Sequence, residues 1–472
     1  MDLKRMAAAC LGLGLLSGCA SGPDYVAPRI DAPLAYHAAP AQAPAPAIPL
    51  ALDSWWRHFE DPELSRLVEL ALAQNLDLAA AAERVAQARA AARLAGAAML
   101  PTVEARAGIA AERQSLESPI GMLASQMPGY DRKAVLRSEA LAASWELDLA
   151  GGLARGREQR SAEAEAAEAD RLGVRVSLAA EVADSWLRVR GARLRLAIAG
   201  EALQADRDLL RLVRARRAGG LASAGEVAQA EARVAQVRAT LPALEAEIAS
   251  QLNRLDVLLG ATPGSLAPRT AGVAGPLALP VLGSELKPAE LLRRRPDVLA
   301  AERRLAASNA AIGVAMAEYY PKISLSALLG MESLRTGRPR GDNLQPALAA
   351  GLRWRLFDFG AVDAEVAAAG ALRREALLRY RQAMLRATEE VEASLIRSAA
   401  LRDERAALAE QLDAAGRART QAHEAYLAGA GSLMDELELE RQVLAVRDRL
   451  SETETGAGRA LVASFRALGG GW

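Results

Sequence analysis

Between residues 134 and 148 the chain alternates, with Leu141, Ala143, Trp145 and Leu147 falling on one side. Alternation at every second position is the mark of a half-exposed strand. After Gly151-Gly152 the period becomes helical, and no proline interrupts it before Pro242. One helix over 152–217 would be roughly 100 Å long at 1.5 Å per residue, against about 11–12 residues for an ordinary globular helix. A second helix is expected over 223–259, with Pro242 as a kink or local break.

The same signals recur on either side of this stretch. Asp61-Pro62 pairs a capping residue with a first-turn proline, and its helix runs from Leu64 to about Leu100 with an interruption at Asn75-Leu-Asp77. Pro101 stops it. Val103, Ala105, Ala107, Ile109 and Ala111 then share one side of a strand over 102–113. Residues 115–131, which carry Pro119, Gly121, Pro128 and Gly129, read as a loop before the strand at 134–148. Further on, Ile323, Leu325, Ala327, Leu329 and Met331 alternate over 322–333, and Leu344, Leu348, Ala350, Leu352, Trp354 and Leu356 over 344–357. Helices at 361–428 and 432–466 follow.

These elements are one unit written twice. Asp77 and Pro101 match Asp297 and Pro321 at an offset of 220 (321 − 101), while Trp145, Gly220, Ser223 and Glu226 match Trp354, Gly429, Ser432 and Asp435 at 209 (354 − 145). The offset changes only within the hairpin between proline and tryptophan, so its tip is the tolerant loop. The expected division is a leader at 1–18, a tether at 19–60, a first repeat at 61–260, a linker at 261–288, a second repeat at 289–467 and a tail at 468–472. Residues 20–50 hold Pro40, Pro44, Pro46 and Pro49 and read as an extended tether.

Composition narrows the class. Acids and bases balance at 58 each, which gives no basic surface for nucleic acid. Aromatics make up only 4% of the chain, which suits closely packed Ala-rich helices better than bulky-cored domains. Met1–Arg5 is basic, Met6–Leu16 is apolar, and Leu16-Ser-Gly-Cys19 follows, resembling a bacterial lipobox whose cysteine is lipidated. Ala20 after Cys19 implies sorting to the outer membrane by the rule for such lipoproteins. No uncharged apolar run reaches the 18 residues a membrane helix needs, so a crossing falls to the strands. Each strand has the length of a tilted outer-membrane strand. A soluble sandwich would also alternate.

Four strands cannot close a barrel, and an open edge in lipid leaves backbone groups unpaired at several kcal/mol each. Two chains would make only the smallest filled barrel of about eight strands. Three would make twelve with room for a lumen. The fold class expected is membrane α+β with internal duplication: a homotrimer whose 12-stranded outer-membrane β-barrel continues as a long periplasmic α-helical barrel.

The ordered marks Trp55-Trp56…Phe59…Asp61-Pro62, Leu292-Arg-Arg-Arg-Pro-Asp297, Tyr320-Pro321, Trp354…Phe357-Asp-Phe-Gly360 and Tyr426-Leu-Ala-Gly429…Ser432…Asp435 resemble the outer-membrane factor family of TolC- and OprM-type efflux channels. Within it the lipoprotein, NodT-like branch fits best, over nearly the whole mature chain. The resemblance implies a homotrimer embedded in outer-membrane lipid, fed by a periplasmic membrane-fusion adaptor and an inner-membrane pump of the resistance-nodulation-division (RND) type. It implies a closed periplasmic end, where Asp435, Glu438 and Glu226 match the acidic constriction. Glu438 stands where an aspartate is expected, though it keeps the charge; a helix-start carboxylate favoured by the dipole is an equal reading of Glu226, while for Asp435 the gate is favoured over it. The turns carrying Gly220, Ser223, Gly429 and Ser432 would dock the adaptor, and Trp145 and Trp354 would face lipid. A duct for type I protein secretion and a lipid-anchored scaffold without a pore are the competing readings. Three scattered histidines and no phosphate loop or nucleophile motif argue against an enzyme, and no metal or other cofactor is expected.

Overall fold

A computed structural model of the chain describes residues 21–29, 35–37, 52–266, 278–280, 288–334 and 341–472. Cys19, the leader and most of the Pro-rich tether and linker lie outside them. In order, the elements are α1 (Pro62–Gln74), α2 (Leu76–Ala97), β1 (Thr102–Arg113), α3 (Pro119–Ala124), β2 (Lys133–Leu147), α4 (Gly152–Ala218), α5 (Ala224–Leu258), α6 (Pro288–Arg294), α7 (Pro296–Ala317), β3 (Lys322–Ser333), β4 (Leu344–Arg353), α8 (Ala361–Leu427) and α9 (Leu433–Ala467).

The duplication holds to the residue. Helices α2 and α7 both span 22 residues, β1 and β3 12, α4 and α8 67, and α5 and α9 35. Every bound in the two long-helix pairs differs by the same 209 (427 − 218, 433 − 224), and those of the first strands by 220 (322 − 102). The differences lie in the opening helices, α1 having 13 residues and α6 7, in the hairpin tip, where α3 stands in the first copy, and in the closing strands, β2 having 15 residues and β4 10.

Two compact units can be described separately. In the first, which holds residues 85–166 and 301–379, the strands form one antiparallel sheet in the order β1-β2-β3-β4, with β1 and β4 at its edges. Residues directly opposite one another share a face. One row reads Val103, Ala143, Ala327, Leu348 and the next Ala105, Leu141, Leu329, Pro346. The opposite face carries Thr102, Ser144, Ser326 and Ala349, then Arg106, Ala140, Gly330 and Gln345. That second face is hollowed: a concavity of about 310 Å³ is lined by Thr102, Glu104, Arg106, Ser144 and Ser326 together with Leu328 and five alanines. The apolar face is therefore the convex one.

The same unit holds residues 21–28 tightly, so this part of the expected tether is docked. Ser21 donates its backbone N–H (2.9 Å) and its hydroxyl to the Ala150 carbonyl. The buried Arg155 side chain donates to the Ser21 carbonyl and to Asp24, and buried Asn309 donates to the Pro23 carbonyl. Gly22, at φ +85°, and Gly313 of α7 meet so closely that a Cβ on Gly313 would lie 2.5 Å from the Ser21 oxygen. Only glycine allows that crossing.

The second unit, residues 29–84, 167–300 and 380–472, carries the bulky core. Trp55, Trp56 and Phe59, expected in the tether, are buried there with Leu64, Leu67, Trp186, Leu255 and Phe465. They sit in a short 3₁₀ segment, Leu52–Phe59, and Trp55 stacks on Phe465 at 5.1 Å. Large aromatics bury too much apolar area to remain in an extended linker. Residues 468–471, expected as a loose tail, are buried as well: Gly471 donates to the Leu52 carbonyl and accepts from Arg175. Pro242 does not break α5. It lies on an exposed stretch, so the helix loses one hydrogen bond where water can replace it.

Asp61 ties this unit together. Its carboxylate caps α1 by accepting from the Glu63 and Leu64 N–H groups, and accepts from the Trp186 indole (2.9 Å) and Arg190 (2.7 Å) of α4. The carboxylate is almost fully buried, and all four donors converge on it.

Candidate functional site

Two regions carry the functional candidates: the two helix–helix turns and the sheet. At the first turn Gly220 takes φ +74°, and the Leu221 N–H reaches back to the Arg216 carbonyl. At the second, Gly429 takes φ +72° and the Ala430 N–H reaches the Ala425 carbonyl. Both are glycine-terminated helix ends of the Schellman kind, in which a left-handed residue is needed. Ser223 and Ser432 then cap α5 and α9 through their hydroxyls.

The three candidate acids have different partners. Glu226 closes a capping box: its carboxylate accepts from the Ser223 N–H at 2.5 Å while the Ser223 hydroxyl accepts from the Glu226 N–H. Those bonds favour the ionised form and hold its pKa below the usual glutamate value. Asp435 occupies the same place in the second copy but is one methylene shorter, and no such box forms there. Its side chain is exposed and has no hydrogen bond or ion pair among the described residues. Glu438 is half-buried and bound twice, to Arg441 of its own helix (2.7 Å) and to Arg233 of α5 (2.8 Å). Arg441, then Arg233, push the Glu438 pKa down. A lowered carboxylate pKa stabilises the folded form above its unfolded value and loses that contribution as pH falls through the folded one. The α5–α9 tie is thus intact at neutral pH and is released only below the ordinary glutamate range.

Arg233, Arg441 and Asp206 were not among the sequence candidates. Asp206, on α4, is buried beside the Arg233–Glu438–Arg441 set, and burial raises its pKa against the pull of the two arginines. The three helices flank a groove of about 760 Å³ whose lining includes Ile198, Ala202, Asp206, Arg233, Val237 and Leu444. The Glu438-x-x-Arg441 spacing is readable in the sequence as a helical i, i+3 pair. Nothing local in the sequence points to Arg233, 205 residues away.

At the sheet, Trp145 stands directly opposite Leu325 on the apolar face. Its indole N–H donates to the Met99 carbonyl, and the indole of Trp354 to the Tyr319 carbonyl, both at 2.9 Å. The two tryptophans thus cap equivalent helix ends before β1 and β3. Trp354 itself lies one residue beyond β4, which ends at Arg353 and not at the expected 357. No helix among the described residues is long and apolar enough to cross a membrane.

Comparison with known proteins decides the family. The model of the outer membrane efflux protein family matches residues 67–261 and 288–470. The chain belongs to the outer membrane efflux protein family. It is 35% identical to the pyoverdine export outer membrane protein OpmQ of Pseudomonas aeruginosa, over 100% of this chain and 98% of that protein. It is 30% identical to nodulation protein T of Rhizobium leguminosarum bv. trifolii, over 95% of this chain and 92% of that one. Among solved structures it resembles the outer-membrane channel OprN, with a TM-score of 0.83 and 33% identity over 96% of this chain and 100% of that one. CusC gives 0.79 and 25% over 96% and 100%. As an outer membrane efflux protein the chain is an exit duct, seated in the outer membrane and extending into the periplasm. The family consists of channels, not enzymes.

Proposed function

We propose that three copies of this chain make one duct, with a 12-stranded barrel in the outer membrane, and pass small molecules handed over by a periplasmic adaptor and an inner-membrane RND-type pump. The observation that carries this reading is the sheet: four strands with two open edges, an apolar convex face and a polar hollow face. A curved sheet of that polarity fits lipid outside and water inside. OpmQ is named for pyoverdine export, and a cargo of that kind belongs to this reading, as does acylation at Cys19 of the lipobox-like Leu16-Ser-Gly-Cys19 run. Ser21, two residues after Cys19 in the sequence, is pinned to Ala150 just beyond the end of β2.

In the trimer Asp435 would form a ring of three carboxylates at the constriction, the charge that Glu226 and Glu438 spend locally. The turns at Gly220–Ser223 and Gly429–Ser432 would receive the adaptor. Planar-bilayer recording of the purified protein tests this. Asp435→Asn should raise conductance and reduce cation preference together, since it removes ring charge. Glu438→Ala should raise conductance severalfold by freeing α9 from α5, and the wild type should reproduce that opening only in acid below the ordinary glutamate range. Folded protein that leaves bilayers silent would favour a non-conducting scaffold, and protein that conducts with neither variant differing from wild type would refute the gate.

A further inference from the structure

From the repeat itself we infer the register in which the open edge of β4 pairs with β1 of a second copy; this rests on the oligomeric barrel proposed above. The two hairpins obey one rule. Thr102 faces Ser144 and Lys322 faces Arg353; adding 220 to the first residue and 209 to the second converts the former pair into the latter. The offsets therefore hold for strand pairing as well as for sequence. The middle of the sheet, β2 against β3, joins the end of one copy to the start of the next: Leu147 faces Ile323, Trp145 faces Leu325 and Ala143 faces Ala327. The junction between chains is the same junction, β4 against β1. Adding 209 on one side and subtracting 220 on the other sets Leu356 opposite Val103 of the partner subunit, Trp354 opposite Ala105 of the partner subunit and Leu352 opposite Ala107 of the partner subunit.

Three observations support this assignment. First, the pairs are apolar against apolar on the convex face, and Leu348, Leu352, Val103 and Ile109, all at least 66% exposed in the single chain, gain neighbours there. A one-residue slip would set this face against the polar one. Second, it explains why β4 is short. The last residues of β2, Trp145–Leu147, are paired only by β3, and their equivalents, 354–356, have no strand partner among the described residues until a partner's β1 arrives. Assembly extends β4 through Leu356. Third, Pro346 falls opposite Arg113 of the partner subunit, the last residue of β1, where a missing N–H costs little. Arg353 would face Arg106 of the partner subunit, a like-charge pair offset by Glu104, which already binds Arg106 at 2.9 Å.

Paired cysteines read the register directly, because directly opposite Cβ atoms come within disulfide reach and those two places out of register do not. The sequence holds two cysteines, Cys10 and Cys19, both outside the described residues. Leu352→Cys with Ala107→Cys should give a covalent ladder ending at three chains on a non-reducing gel. Leu352→Cys with Ala105→Cys, or with Ile109→Cys, should give at least tenfold less. A trimer by light scattering that crosslinks best in a shifted pair, or in none, overturns the register and leaves the oligomer standing. Folded monomer in every variant and in the wild type overturns both.

Discussion

Asp61→Ala should be the most destabilising single change in the chain, lowering stability by about 3–5 kcal/mol, the usual cost of removing one partner from a buried ion pair. Four donors lose their acceptor at once: two N–H groups at the start of α1, the Trp186 indole and the Arg190 guanidinium. The lost helix cap alone is worth about 1 kcal/mol. The rest comes from taking this acceptor away from the Trp186 indole N–H, inside the core that also holds Trp55, Trp56 and Phe59, and from removing the carboxylate that Arg190 binds at 2.7 Å. Asp61→Asn separates the contributions, since an amide oxygen in the Oδ1 place still caps α1, while the amide NH2 in the Oδ2 place can accept from neither the indole nor Arg190. Thermal unfolding in detergent at one fixed scan rate, followed by circular dichroism, should rank wild type above Asn above Ala. An Ala variant that melts with the wild type would show that this node carries none of the fold's stability.

The second large effect concerns the sheet. Ala349 and Ala350 are neighbours in β4 on opposite faces, Ala349 in a row with Ser326, Ser144 and Thr102 and Ala350 beside Leu325. Ala350→Arg places a charge on the lipid face at about 2–4 kcal/mol near the bilayer midplane, three times over in a trimer. Ala349→Arg places the same side chain in the water-filled hollow. Outer-membrane fractions should therefore hold trimer at near wild-type amounts for Ala349→Arg and almost none for Ala350→Arg. Equal yields from the two would mean that the convex face is not the one in lipid.

How far these features were legible from residue order alone depends on the range of the interactions behind them. Period and spacing located β1, β3 and all four long helices within a residue or two, because each element's signal lies inside the element. The repeat offsets reached further, carrying the match between copies through to hairpin register. Where the sequence misled, a distant partner was responsible. Trp55, Trp56 and Phe59 lie in a stretch bordered by prolines that looks like tether, and only Phe465 and Trp186, far along the chain, make them core. Strand β4 stops at Arg353 although alternation continues through Trp354 and Leu356, because a strand needs a neighbour as well as a pattern. The acidic turn residues were found by position, yet Asp435, Glu226 and Glu438 could be told apart only by what each one binds. Glu226 closes a capping box, Glu438 is bound by two arginines, and Asp435 is left exposed.

Each chain offers four strands and two unfilled edges, so the number of chains in the folded particle bears on everything else. Native mass spectrometry of the protein released from detergent measures it without labels or variants. Three chains per particle is the expected result. A folded monomer or dimer with its strand content intact would contradict it.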